Sequence, residues 1–154
     1  MTNDIINAIS REINKNLNAD GNKYTIYTES VEQGLKRPCF FIYCKDYKDE
    51  RYRGNRYKVN ADIVIEYSPP DEEKSINADV NNIIEALYDI TEYIEIDDNV
   101  LQGNNRLVEN AENCIIFNVS YGYFYYKTED VESMETLKER TDVNGWYSKD
   151  NRRS

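Results

Sequence analysis

Residues 57–67 read Tyr-Lys-Val-Asn-Ala-Asp-Ile-Val-Ile-Glu-Tyr, and this stretch decides the fold class. Its odd-numbered positions are all apolar or aromatic, whereas four of its five even-numbered positions are polar. Because successive side chains of a strand point to opposite faces, this alternation predicts a strand with one buried face and one solvent-exposed face. The strand should end at Ser68-Pro69-Pro70, since proline cannot donate a hydrogen bond to a sheet.

The segment before this strand predicts its partner. Residues 39–44 are apolar on both faces, which favours a central strand that is covered on both sides. Residues 45–58 are charged and centre on Gly54-Asn55, so we expect a turn-like connection there. The two strands should therefore form a long hairpin.

Two helices flank this hairpin in the sequence. Apolar residues recur at helical spacing from Ile5 to Leu17 and again from Ile76 to Ile94. Short strands are expected at residues 23–28, 100–101 and 106–108, and a last long strand at residues 115–125. We predict an α+β fold, with an antiparallel or mixed sheet of four to six strands and two helices packed on one face.

The chain becomes polar after Lys127, where few apolar residues remain. We therefore expect an α+β domain over residues 1–127 and a polar C-terminal extension over residues 128–154, which either docks on a neighbouring subunit or stays mobile.

The charge distribution excludes some partners. The chain has 154 residues and a net charge of −10, and between Glu66 and Asp98 the only basic residue is Lys74. Such a surface repels nucleic acid and anionic membranes at long range. We expect no membrane binding and no specific nucleic-acid binding.

Catalytic features are not recognisable in the sequence. There is no histidine, the six glycines form no phosphate-binding pattern, and no acidic segment has the spacing of a calcium loop. Cys39, Cys44 and Cys114 match no zinc spacing and are expected to be reduced, buried thiols. We predict no enzyme, no catalytic or metal site and no cofactor.

Residues 45–58 form a basic island in this acidic chain, with six basic and three acidic side chains interleaved with tyrosines. Three interpretations are open: a docking surface for protein, a solvated hairpin tip, or a nucleic-acid contact, the last being the least favoured. The tyrosines of the last strand suit either a partner surface or an ordinary sheet face. The predicted interface residues are Tyr47, Arg51, Tyr52, Arg53, Arg56, Tyr121, Tyr123, Tyr125, Met134, Leu137 and Trp146.

Several segments between residues 3 and 127 resemble the tail terminator proteins of prophages and phage-tail-like bacteriocins from Gram-positive bacteria. They are Asp4–Ile9, Val31–Leu35 followed by Pro38–Ile42, Gly54–Tyr57, Ala86–Tyr88 with Tyr93–Glu95, and Phe117–Tyr126.

The resemblance implies a structural ring protein, a hexamer, that sits on the last ring of the tail tube and stops its growth. Its implied partners are copies of itself, the tail tube protein, the sheath protein in a contractile tail and the head connector in a complete phage. A head-to-tail interface closes into such a ring when its rotation divides a full turn. The basic segment 45–58 and the acidic segment 66–98 are candidates for the two halves of that interface, because their charges are opposite.

Two other functions are compatible with the sequence: a head–tail joining protein, and a small monomeric or dimeric binding module. The start of the chain lacks the basic region of a signal peptide. We therefore expect the protein in the host cytoplasm during assembly and then in the particle.

Overall fold

The computed structural model describes residues 1–30, 33–70 and 76–128. Two helices and six strands follow one another along these ranges. In chain order they are α1 (Thr2–Leu17), β1 (Thr25–Tyr27), β2 (Cys39–Arg53), β3 (Arg56–Ser68), α2 (Ile76–Glu92), β4 (Tyr93–Ile96), β5 (Asn99–Ala111) and β6 (Cys114–Tyr126).

The six strands form one mixed sheet in the order β1-β2-β3-β6-β5-β4. Strand β1 pairs with β2 in parallel, while β4 pairs with β5 and β5 with β6 in antiparallel fashion. Strands β2 and β3 are neighbours joined by the two-residue turn Gly54-Asn55, where Gly54 has the positive φ of +58° that glycine tolerates best. The predicted α+β fold with a mixed sheet is confirmed, and so is the hairpin.

Contacts concentrate in two compact units of the chain. The main unit comprises residues 1–47 and 61–121. The hairpin unit comprises residues 48–60 together with residues from 122 onward, of which the structure describes those up to 128.

Both helices of the main unit pack on the same layer of its core. Helix α1 contacts α2 and β4, and α2 also contacts β4 and β5. The odd-numbered residues of β3 and β6 point toward these helices: Tyr88 of α2 meets the Phe117 ring edge-on at 5.0 Å between centroids. The fully buried side chains include Ile5, Ile9, Ile13, Phe40, Ile42, Ile63, Ile65, Tyr67, Leu87, Ile94, Phe117 and Tyr121.

The other face of the main unit's sheet is only half covered. Strand β2 buries Phe40 and Ile42, whereas Phe41 and Tyr43 are intermediate in exposure, with their ring centroids 4.9 Å apart and their planes tilted by 35°. The prediction that residues 39–44 are covered on both sides is therefore wrong for the described part of the chain, because its helices lie on one face only.

Three element boundaries differ from the predictions. Residues 45–53 belong to β2, although the sequence predicts a turn there, because they pair with β3 while all their side chains stay exposed. Helix α2 ends at Glu92, and Ile94 is buried from strand β4 instead. The two short pieces near residues 100 and 107 are one strand, β5, interrupted by an irregularity between Asn104 and Leu107.

The polar extension after residue 128 lies outside the described residues, as do Met134, Leu137 and Trp146. Among the described residues no helix is long and apolar enough to cross a membrane.

Candidate subunit interface

The hairpin unit carries aromatic and basic side chains on both of its faces. It consists of the last part of β2, the Gly54-Asn55 turn, the first part of β3 and the end of β6. The turn is tied to β6, because the amide of Lys127 donates to the carbonyl of Asn55 at 2.9 Å and the Asn55 side-chain amide donates to the carbonyl of Lys127 at 3.3 Å. Strand alternation then sends neighbouring residues to opposite faces.

One face, which we call the Phe124 face, holds a guanidinium between two rings. The guanidinium carbon of Arg56 lies 3.9 Å from the centroid of Phe124 and 5.3 Å from that of Tyr52. The two rings meet edge-on at 5.2 Å, and the Lys58 ammonium lies 5.8 Å from Phe124. Stacking on aromatic rings holds the arginine in one orientation while it keeps its charge.

The opposite face, the Tyr57 face, is a network of hydrogen bonds. Arg51 donates from Nε and Nη2 to the Tyr57 hydroxyl at 3.3 and 3.1 Å. The Tyr57 ring stacks on Tyr125 at 5.5 Å, and the Tyr125 hydroxyl donates to the Asp49 carboxylate at 2.7 Å. The Lys127 ammonium lies 4.2 Å from the Tyr57 ring. The hydrogen-bonding side chains of the Tyr57 face are therefore bonded to one another.

The two faces differ in what they leave for a partner. On the Phe124 face, Tyr52 is 60% exposed and Phe124 is 41% exposed, and Nε of Arg56 is buried without a hydrogen-bond partner among the described residues. Exposed aromatic rings beside an oriented arginine are the groups that contribute most to protein interfaces. The Phe124 face therefore offers the stronger candidate contact surface.

The hairpin unit is basic, whereas the rest of the chain is acidic. Six basic and two acidic side chains among residues 48–60 and 122–128 give a net charge of +4, against −10 for the whole chain. In the main unit, no lysine or arginine occurs between Lys74 and Arg106. Helix α2 exposes Glu85, Asp89 and Glu92, whose spacing of four and three residues places their carboxylates along one side of the helix.

The structure places four of the predicted interface residues in the two side-chain clusters of the hairpin unit. Tyr52 and Arg56 lie on the Phe124 face, and Arg51 lies on the Tyr57 face with Tyr125. Tyr47 is exposed in the main unit, Arg53 is exposed in the hairpin unit, and Tyr123 is half-buried. Phe124 and Lys127 are absent from the predicted interface, whereas Lys58 and Tyr57 lie within the predicted basic segment 45–58 but are not among its predicted interface residues. The alternation of the last strand could have indicated Phe124, because it places this residue opposite the tyrosines.

Tyr121 is a correction to the predicted interface. Its side chain has no exposed surface in the main unit, and its hydroxyl is bonded inside the protein. Burial raises its pKa well above the ordinary tyrosine value. The ring fills the core beneath α2 and is not part of the surface.

The cysteines have the properties of unreactive thiols. All three are free; Cys39 is buried, whereas Cys44 and Cys114 are intermediate, so the prediction of three buried thiols is confirmed for Cys39 alone. Desolvation raises the pKa of each thiol, which disfavours the nucleophilic thiolate. Within the part of the chain that the structure describes, no group of three or more acidic or cysteine side chains is arranged to hold a metal ion.

A comparison with protein families identifies the family of this chain. No curated protein is similar enough in sequence to count as a match. One solved structure aligns with 84% of this chain over 98% of its own chain. The TM-score of this alignment is 0.42 and the sequence identity is 10%. A family described as phage tail terminator protein matches residues 4–133 of the 154. The chain therefore belongs to the phage tail terminator family, a structural family, and has a structural role associated with phage tails.

Proposed function

We propose that the protein forms a ring, a hexamer, on the last ring of the tail tube, where it stops polymerisation of the tube and caps the tail. In a contractile tail it also meets the end of the sheath. The proposal assigns it no enzymatic activity, in keeping with the structural family to which it belongs.

The separation of charge within one chain is the observation that supports a ring. Residues 48–60 and 122–128 of the hairpin unit carry a net charge of +4, while the charged side chains that α2 and the β4–β5 turn of the main unit expose are all carboxylates. Identical copies that carry a basic and an acidic surface attract one another head to tail rather than face to face. A head-to-tail contact builds a closed ring when its rotation divides a full turn.

A ring of this kind explains termination. Its two flat sides present different surfaces, because a head-to-tail ring has no two-fold axis in its plane. One side matches the tube and the other does not, so that no further tube subunit can be added. In a complete phage the second side receives the head connector.

Electron microscopy of particles produced without the gene tests this function. Overlong tubes are the expected result, because nothing then stops polymerisation. Tails of normal length that are detached from heads would instead identify a head–tail joining protein. Normal complete particles would exclude both particle roles and favour a small binding module, which light scattering of the purified chain at several concentrations would characterise.

A second experiment isolates termination from other steps of assembly. Purified tube protein is allowed to polymerise with and without this protein, and the tube lengths are measured in electron micrographs. We expect shorter, capped tubes in its presence. Unchanged tube lengths at a molar excess of the protein would contradict the proposal.

A further inference from the structure

We propose that the Phe124 face of one subunit binds the acidic side of helix α2 on the next copy of this chain. The contact surface on the first copy consists of Tyr52, Arg56, Lys58 and Phe124. The contact surface on the second copy consists of Glu85, Asp89 and Glu92. This inference rests on the proposed ring and assigns the partner surfaces within it.

The choice between the two faces of the hairpin unit follows from their hydrogen bonds. On the Tyr57 face, the Arg51 guanidinium, the Tyr57 hydroxyl and the Tyr125 hydroxyl already have partners. On the Phe124 face, Arg56 is held by rings that take up none of its hydrogen bonds. Its Nε is buried without a partner among the described residues, and the residue as a whole is intermediate in exposure, so a carboxylate would reach its terminal amino groups. A carboxylate that approaches this face gains a charge-assisted hydrogen bond without breaking one.

The arginine is also held in place before it binds. Its side chain lies between Tyr52 and Phe124, so little rotamer freedom remains to be lost on association. The exposed parts of the same two rings supply apolar area around the charge and exclude water from it. An oriented arginine within an aromatic rim is the arrangement expected of an interface hot spot.

Helix α2 supplies the complementary groups. Glu85, Asp89 and Glu92 are exposed, and no basic residue lies in the last turn of the helix or elsewhere between residues 75 and 105. These carboxylates have no neighbour of opposite charge along their own stretch of chain. Arg106 of β5 packs on the helix, but it donates to the main-chain carbonyl of Tyr88 and lies over the Tyr88 ring. The three carboxylates remain exposed to a cation supplied by another copy.

The test is a charge swap measured in particles. The Lys58→Glu variant, the Asp89→Lys variant and the double variant replace the wild-type protein in a producing strain, and mass spectrometry measures how much of the protein is incorporated per purified particle. We expect each single variant to reduce incorporation by about tenfold or more, because like charges then meet at the contact. The double variant should recover most of the loss, because every copy then carries both reversed surfaces.

Lys127→Glu is the matched control, since this lysine also lies over an aromatic ring of the hairpin unit but on the Tyr57 face. It should leave incorporation near the wild-type level. Thermal unfolding of each purified variant, followed by circular dichroism, shows whether it is folded. Equal losses for Lys58→Glu and Lys127→Glu, no loss for the single variants, or no recovery in the double variant would each overturn the inference.

This test is separate from that of the proposed function. Tail length without the gene reports termination, whereas the charge swap reports which surfaces meet between copies. Overlong tails without the gene, combined with a failed charge swap, would keep the terminator and discard this contact. A successful charge swap combined with normal tail lengths without the gene would keep this contact and discard the terminator role.

Discussion

The hydroxyl of Tyr121 donates a hydrogen bond of 2.9 Å to the main-chain carbonyl of Thr91, and both residues are fully buried. This bond joins the centre of β6 to the last turn of α2. The Thr91 hydroxyl in turn donates to the carbonyl of Leu87 at 2.7 Å, so the buried polar groups at this end of the helix are paired. The relationship fixes how the helix lies on the sheet.

Replacing Tyr121 by phenylalanine removes this bond but keeps the ring. The buried carbonyl of Thr91 loses its donor, and we expect the free energy of unfolding to fall by about 1–3 kcal/mol. Urea denaturation measures the change. Tyr93→Phe is the matched control, because Tyr93 is 55% exposed and should change stability little. Equal effects of the two substitutions would contradict the assigned role of the Tyr121 hydroxyl.

Gly103→Ala should be more damaging. Gly103 lies opposite Tyr121 in the β5–β6 pairing, and an added Cβ would collide with the carbonyl oxygen of Thr91 and lie 2.9 Å from Cγ2 of Val119. Main chain or core must shift, so we expect a loss of about 2–3 kcal/mol or more.

Gly122→Ala provides the comparison for this substitution. There the nearest atom to an added Cβ is the side-chain oxygen of Asn60 at 2.9 Å, which can rotate away. Denaturant midpoints of the two variants should therefore differ clearly, with Gly103→Ala the less stable. The reverse order would show that the contact between β5 and α2 is looser than described.

Stability should fall at alkaline pH. Burial raises the pKa of Tyr67 and Tyr121, and burial together with the hydrogen bond to Glu66 raises that of Tyr43, above the ordinary value of 10.0. A group whose pKa is higher in the folded state contributes full stability below its unfolded pKa and loses it as the pH rises further. The pKa of each of the three thiols is raised as well, so we expect the free energy of unfolding to decline from about pH 9 upward, and more steeply from about pH 10, where the tyrosines titrate in the unfolded chain.

Urea denaturation at pH 8 and at pH 10.5 checks this dependence. The decline between the two pH values should be smaller in a variant with Tyr121→Phe, even though that variant is less stable at pH 8. A decline that is the same in both proteins would show that Tyr121 is not among the groups responsible.

Phe124→Ala should loosen the hairpin unit. The substitution removes a ring against which Arg56 and Tyr52 pack. We expect faster amide hydrogen exchange in residues 48–60, measured by mass spectrometry, by a factor of about ten. Tyr126→Ala is the control, because Tyr126 is 63% exposed and should leave this exchange close to that of the wild type. Unchanged exchange in Phe124→Ala would mean that the stacked arginine does not stabilise the unit.

The sequence pattern alone could not predict which aromatic residues lie at the surface and which are buried. A tyrosine-rich strand predicts neither which ring is buried nor which is exposed, because tyrosine suits both environments. Tyr121 is in the core, whereas Tyr52 and Phe124 are on the surface. Tyr121 is buried because α2 packs on its face of β6, as the hydrogen bond to Thr91 shows. The position of a helix over a sheet depends on contacts distant in sequence.

The sequence by itself determined the α+β class, the β2–β3 hairpin, the apolar sides of both helices, the acidic charge and the basic island, since each depends on periodicity or composition within a short window. The tertiary structure alone decided that residues 45–53 are a strand, that Ile94 leaves the helix, and that Arg51 and Arg56 lie on opposite faces of the hairpin unit. Those features arise from strand pairing, which a short window of sequence does not specify. Arg51 meets the Tyr57 hydroxyl across the β2–β3 hairpin, and Arg56 lies against Tyr52 in the same hairpin. The second ring over Arg56, that of Phe124, is supplied by β6, which pairs beside β3 from a distant part of the chain.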